Sequence, residues 1–104
     1  MRFFITLFFS LSHFVAVSAI WSIGSTQTYS NPSDVVGLVS VGDTVEIDVG
    51  TYSGDFCVWN TDNLYIKGVG GFAHLNATGF TIPNLKAIWV INGDNLIIEN
   101  IEFS

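Results

Sequence analysis

Chemistry on a protein chain needs a carboxylate, imidazole, thiol or cation held where a substrate or a metal can reach it, and this sequence offers few such groups. The densest acidic group is Asp43, Glu46, Asp48 and Asp55. Glu46 and Asp48 lie two apart in an alternating segment, so both project from one face of a strand and are candidate oxygen ligands for calcium. No loop has the spacing of a dedicated calcium site, and charges on a solvent-facing strand more often guard its edge against aggregation. His74 and Cys57 are the residues that could pair as base and nucleophile, but they fall in separate segments and no spacing joins them. Lys67 and Lys86 have no ordered carboxylates about them and read as solvated surface cations. Asn60-Thr61-Asp62 is a run of the residues that turns favour. The sequence therefore supplies no catalytic set and implies no cofactor, with calcium the one metal its oxygens would suit.

Charge narrows the partners. Three Lys and Arg face nine Asp and Glu in 104 residues, a formal charge of −6. That excludes nucleic acid, which needs clustered cations to displace its counterions, and it disfavours an anionic membrane surface. A polyanionic polysaccharide such as pectate would be repelled unless a cation bridged it. At 49 % hydrophobic residues the chain is expected to fold, and its length allows one small domain.

Residues 1–19 read as a secretory signal peptide. Arg2 supplies the positive start, Phe3 to Val17 is mostly apolar, and Val17-Ser18-Ala19 offers small residues for cleavage after Ala19. Ser10, Ser12 and His13 interrupt the apolar run, which falls short of the ~20 residues of a membrane span. The mature chain would start at Ile20, be secreted, and carry a charge near −7 with Lys67 and Lys86 as its cations. Cys57 is the single cysteine, so no intrachain disulfide can form, and its apolar neighbours Phe56 and Val58 favour burial. Asn76-Ala77-Thr78 is an N-glycosylation acceptor.

The elements that must position these residues are organised by a repeat. Asp62-Asn63-Leu64-Tyr65-Ile66-Lys67-Gly68 returns as Asp94-Asn95-Leu96-Ile97-Ile98-Glu99-Asn100, displaced by 32 positions. At the same offset Phe56 to Trp59 lies over Ile88 to Ile91. Each copy reads strand, polar turn, strand, and each ends on a residue tolerant of left-handed angles, which marks Gly68 and Asn100 as corners. Strands are expected at 44–49, 56–59, 64–67, 87–91, 96–99 and 101–103, with a weaker one at 74–77. A period of this length suggests a solenoid whose copies stack in parallel, with Leu64 on Leu96, Ile66 on Ile98 and Val58 on Val90. Trp59 and Trp89 are offset by 30 instead, which places them on opposite faces or at strand ends. Ahead of the repeat, residues 20–29 read as a polar lead-in. Asn31-Pro32-Ser33-Asp34 opens a short helix of two turns, with Val35, Val36, Leu38 and Val39 on one apolar face.

Residues 41–52, Val-Gly-Asp-Thr-Val-Glu-Ile-Asp-Val-Gly-Thr-Tyr, resemble the opening segment of the right-handed parallel β-helix proteins of the pectate-lyase-like superfamily. Asp62 to Gly70 and Asp94 to Phe103 are similar to that group's first coils. The resemblance covers residues 31–104. It implies an all-β, right-handed parallel β-helix (solenoid) fragment of about two coils with a short N-terminal capping helix. The corresponding organisation is 1–19 signal peptide, 20–43 lead-in and cap, and 44–104 first coils, open after Ser104. Polysaccharide is the partner it implies. Asn60-Thr61-Asp62 matches one motif of the superfamily's polygalacturonases, whose paired aspartates, Gly-His-Gly and Arg-Ile-Lys elements are missing here. The superfamily's lyases use Arg or Lys as base, and no Arg follows Arg2. Three readings follow: a secreted scaffold or carbohydrate-contacting surface, the N-terminal part of a polysaccharide lyase or glycoside hydrolase completed by further coils, or a surface protein that self-associates through its open coil end.

Overall fold

The computed structural model of the chain describes residues 17–83 and 86–104. Residues 1–16 of the segment read as a signal peptide lie outside them. Among the described residues seven strands form, β1 (Ile20–Ile23), β2 (Thr44–Ser53), β3 (Cys57–Trp59), β4 (Tyr65–Asn76), β5 (Trp89–Ile91), β6 (Ile97–Glu99) and β7 (Ile101–Phe103). One sheet runs β1-β2-β4-β6 with β7 also on β4, a second pairs β3 with β5, and all pairings are parallel. The fold is a parallel β-solenoid of about three turns.

Alternation explains the strands. Val45 and Ile47 of β2 and Ile66 of β4 are fully buried, while Thr44, Glu46, Asp48, Tyr65 and Lys67 between them stay half exposed. Register then stacks like on like. Trp21, Val45, Ile66 and Ile98 form one column, Tyr52, Leu75 and Phe103 another, and Val58 lies on Val90. The Ile97 amide bonds the Leu64 carbonyl at 2.9 Å, which sets Leu64 beside Leu96 as the 32-residue offset requires. Each buried aliphatic side chain contributes about 1.5–3 kcal/mol, and with no disulfide these columns supply the cohesion.

The solenoid is one turn longer than the repeat alone suggests, because part of the polar lead-in is a rung. Ile20–Ile23 pairs residue by residue with Thr44–Ile47, and Ile23 is fully buried. The expected two-turn helix is instead a single 3-10 turn, Pro32–Val35, extended by Val39 N–H bonding the Val35 carbonyl at 3.1 Å. Gly37 and the β-branched valines oppose a longer helix. Val35 and Val39 face the core as read, but Leu38 is 48 % exposed and not on that face.

Coil length is not constant, and the difference has one address. The offset is 21 residues from β2 to β4 and 32 from β4 to β6. From β3 to β4 and from β5 to β6 the count is the same, so all eleven extra residues lie between the start of β4 and the start of β5. Two of them are in the corner at Gly70 and Gly71, where the β2–β4 register jumps between Asp48 and Gly50, and the rest are in the loop after Asn76. The weak strand expected at 74–77 is the part of β4 beyond that corner.

Candidate functional site

The outward face of the β2-β4-β6 sheet gathers the chain's polar chemistry. Register sets Tyr65 beside Thr44 and Ile97, then Lys67 between Glu46 and Glu99, then Val69 beside Asp48. Lys67 Nζ is 3.8 Å from Glu46 Oε2 and 5.1 Å from the Tyr65 ring centroid, and the Tyr65 hydroxyl donates to Glu99 Oε1 at 2.9 Å. Exposed pairs of this kind contribute about 0–1 kcal/mol, so their effect is to place side chains more than to hold the fold. The hydrogen bond to Glu99 pushes the Tyr65 phenol above its usual range, with burial and the Glu99 charge adding to it, so the ring keeps its proton.

Beyond Asp48 this face opens into a groove of about 590 Å³ whose walls include Ser25, Ser30, Asn31, Thr51 and Ser53. Gln27 Nε2 donates to Asp48 Oδ2 at 3.1 Å, and the Tyr52 hydroxyl donates to the Asp48 carbonyl at 2.6 Å. The Tyr52 ring is buried, and burial, with the Asp48 charge, raises its phenol above the ordinary value. The lining is rich in hydroxyl and amide groups with a single carboxylate, a composition that exchanges hydrogen bonds and holds no general acid-base pair.

The other residues singled out in the sequence are mostly absorbed by the fold. Glu46 is engaged by Lys67 and Asp48 by Gln27. Among the described residues no group of three or more His, Cys, Asp or Glu side chains is placed to hold a metal ion. In the Asn60-Thr61-Asp62 run, Asn60 Oδ1 accepts from Asn92 Nδ2 at 2.9 Å and Asp62 Oδ1 accepts from the Asp94 amide at 2.9 Å. These polar groups fasten one turn to the copy 32 residues on. His74, on β4, meets Ser104 Oγ at 2.6 Å, and Cys57 lies in the other sheet. Burial, with the Asp55 charge, pushes the Cys57 thiol up to about 12, leaving almost no thiolate at neutral pH. Asn76 Oδ1 accepts from the Thr78 amide at 2.9 Å in the tight turn that ends β4.

The corners also move. Asn100 is left-handed at φ 56°, as expected, but Gly68 is not. The left-handed positions near it are Gly70 at 80° and Gly71 at 151°. Gly68 is a glycine for another reason, since a Cβ there would lie 2.3 Å from the Asn100 carbonyl oxygen. Trp59 and Trp89 sit at strand ends, Trp59 closing β3 and Trp89 opening β5. Of the two placements expected for them, opposite faces is the one excluded. A displacement of two positions preserves the face, and both rings are buried, edge to face at 5.4 Å.

Sequence reasoning missed Tyr65 and the groove. The signal for Tyr65 was present, because it replaces the Ile97 of its own repeat at a position that faces solvent. Compared with protein-family models, curated proteins and solved structures, the chain matches none.

Proposed function

We propose that this chain belongs to a secreted, right-handed parallel β-helix protein of the pectate-lyase-like kind, whose outward β2-β4-β6 face contacts carbohydrate without transforming it. The observation that carries this reading is the row of Tyr65, Lys67, Glu46, Glu99 and Asp48, spaced by strand register and leading into a hydroxyl-lined groove. A sugar ring presents a flat C–H face that suits an aromatic ring, and vicinal hydroxyls that need donors and acceptors in alternation. The motif resemblance and the parallel coils support the superfamily, and the apolar leader supports export. Glycosidic cleavage would require two free carboxyl groups flanking one bond, one of them kept protonated by burial. Here Glu46 is taken by Lys67, Glu99 by Tyr65, and neither is buried. Net negative charge favours a neutral glycan, with calcium required to bridge an acidic one.

Affinity electrophoresis against xylan, β-glucan, galactan and pectate, with and without calcium, tests this. Binding of at least one neutral glycan is expected, and Tyr65→Ala should weaken it about tenfold, the loss of one aromatic stacking contact. An unchanged affinity in that variant, or release of reducing or unsaturated ends by the parent chain, would sink the reading.

One observation favours a second reading, that the last rung receives another. Ile98 is 38 % exposed and Phe103 46 %, although their counterparts Ile66 and Leu75 one rung below are fully buried. A further coil, or the same end of a second copy, would cover that strip. Light scattering across a concentration series should then show association of the purified protein, and a constant monomer mass would remove self-association.

A further inference from the structure

The start of β1 holds an acid in unusual surroundings. Asp43 is only 2 % exposed, the one charged side chain buried among the described residues. Its Oδ1 accepts the Ala19 amide at 2.9 Å, and its Oδ2 accepts the Ser40 amide at 2.8 Å and Trp21 Nε1 at 2.9 Å. All three donors are neutral as the chain is written. A buried carboxylate is costly without a counter-charge. Of the three, the nitrogen of Ala19 is the one that cutting a peptide bond can turn into a cation.

The sequence permits that cut. Ala16-Val17-Ser18 places small residues at both recognised positions for cleavage after Ser18, while cleavage after Ala19 puts the larger Val17 at the first of them. The later cut would also be wasteful to the fold. It removes the nitrogen that meets Asp43 and the Ala19 carbonyl that accepts the Thr44 amide at 2.9 Å.

We infer that the leader is removed between Ser18 and Ala19, one bond before the cut after Ala19 read from Val17-Ser18-Ala19, and that the freed α-ammonium of Ala19 becomes the counter-ion of Asp43. This rests on the reading of the N-terminal segment as a cleaved leader. An endopeptidase of the secretory route adds water across the Ser18–Ala19 bond. The new carboxylate departs on Ser18, and the Ala19 nitrogen, with the protons it gains, is an ammonium at neutral pH.

The pH window follows from both partners. An α-amino group ordinarily titrates near about 8, and a carboxylate in contact raises that value, so its contribution is complete below about 8 and is lost as pH rises through the raised value. Burial by itself would raise Asp43, but the bonds from Ala19, Ser40 and Trp21 outweigh it and hold the carboxyl below its usual range. Its contribution is therefore present above the ordinary carboxylate range and is lost as pH falls through the lowered value. The other ionisable side chains on the strands that pair beside this corner are Glu46, Asp48 and Tyr52 on β2 and Tyr65, Lys67 and His74 on β4, with Glu46 and Lys67 paired to each other.

The test is to express the full chain with its own leader in a secreting eukaryotic cell and sequence the N-terminus of the exported protein. The same material is then treated at pH 7 with an α-amine-selective aldehyde, folded and in urea. An N-terminus at Ala19 whose amine is labelled at least about tenfold more slowly folded than unfolded supports the inference. An N-terminus at Ile20 overturns it and leaves the leader reading standing, whereas recovery of intact chain beginning at Met1 overturns the leader reading itself. Ala19 at the N-terminus with equally reactive amine in both states removes the ion pair. Asp43→Asn, if it folds, should abolish the protection, and the wild-type labelling ratio decides the matter if it does not.

Discussion

Replacing Trp59 by alanine should lower unfolding free energy by about 3–5 kcal/mol, a large share of what a chain of this size holds. Trp59 is fully buried at the end of β3. Its ring stands edge to face with Trp89 at 5.4 Å, and Trp89 does the same with Phe103 at 5.2 Å, so one truncation opens a void beneath an aromatic series crossing three coils' worth of chain. The indole also supplies a control. Trp59 Nε1 and Trp89 Nε1 are buried with no acceptor. Trp59→Phe keeps an edge-to-face partner and discards that unpaired donor, whose burial costs about 1–3 kcal/mol. It should therefore lose far less than the alanine variant. Urea unfolding followed by far-ultraviolet circular dichroism checks both. Equal losses in the two variants would mean the ring's volume is not what matters.

The second large effect is expected at Gly68. An added methyl would stand 2.3 Å from the Asn100 carbonyl oxygen, 2.8 Å from that of Gly71 and 3.0 Å from the Ala73 nitrogen. All three are backbone atoms held in stacked turns, so no flexible side chain can give way. Asn100 Nδ2 reaches the Gly68 carbonyl at 3.5 Å and the Asn100 carbonyl accepts the Ala73 amide at 3.0 Å. Pushing Asn100 away thus detaches the junction of β6 and β7. Gly68→Ala should cost about 3 kcal/mol, the upper end for one methylene forced into a packed site, and should free the amides of residues 97–103 to exchange first. Gly37→Ala, which meets nothing within 4 Å, is the matched control and should change stability by less than about 0.5 kcal/mol. Slow exchange throughout 97–103 in Gly68→Ala would contradict the account.

Why part of this was legible in the sequence is physical. The 32-residue repeat could be read because the two copies touch through polar atoms, and contact of that kind restricts residue type. Asn60 needs Asn92, Asp62 needs the amide of Asp94, and Asn63 and Asn95 take the same left-handed turn at φ 59° and 61°. Coils joined only by aliphatic packing leave a fainter trace. The β1–β2 and β2–β4 pairings share nothing beyond alternation, and any Val, Ile or Trp satisfies it, so in sequence Ile20–Ile23 reads as part of a polar lead-in. Gly68 reads in sequence as a left-handed corner, whereas the demand for glycine there comes from a carbonyl on the neighbouring coil. The polar face was half legible, since Glu46 and Asp48 announce an outward strand face. What joins them to Tyr65, Lys67 and Glu99 is register across three coils, which no local pattern encodes. The groove depends on where β2 passes the turn after β1, a placement set by the whole fold.

The confinement of all eleven surplus residues to the stretch from the start of β4 to the start of β5, most of them in the loop after Asn76, has an engineering corollary. The chain behaves like a spiral binding in which pages of unequal width are held by the same spine. Foreign peptides spliced near Thr78 to Thr81 would swell one spoke only, because closing a longer loop costs merely ~0.6 kcal/mol per doubling of its length. That makes the excursion a natural port for grafted epitopes or affinity handles, remote from the columns that keep the spine upright.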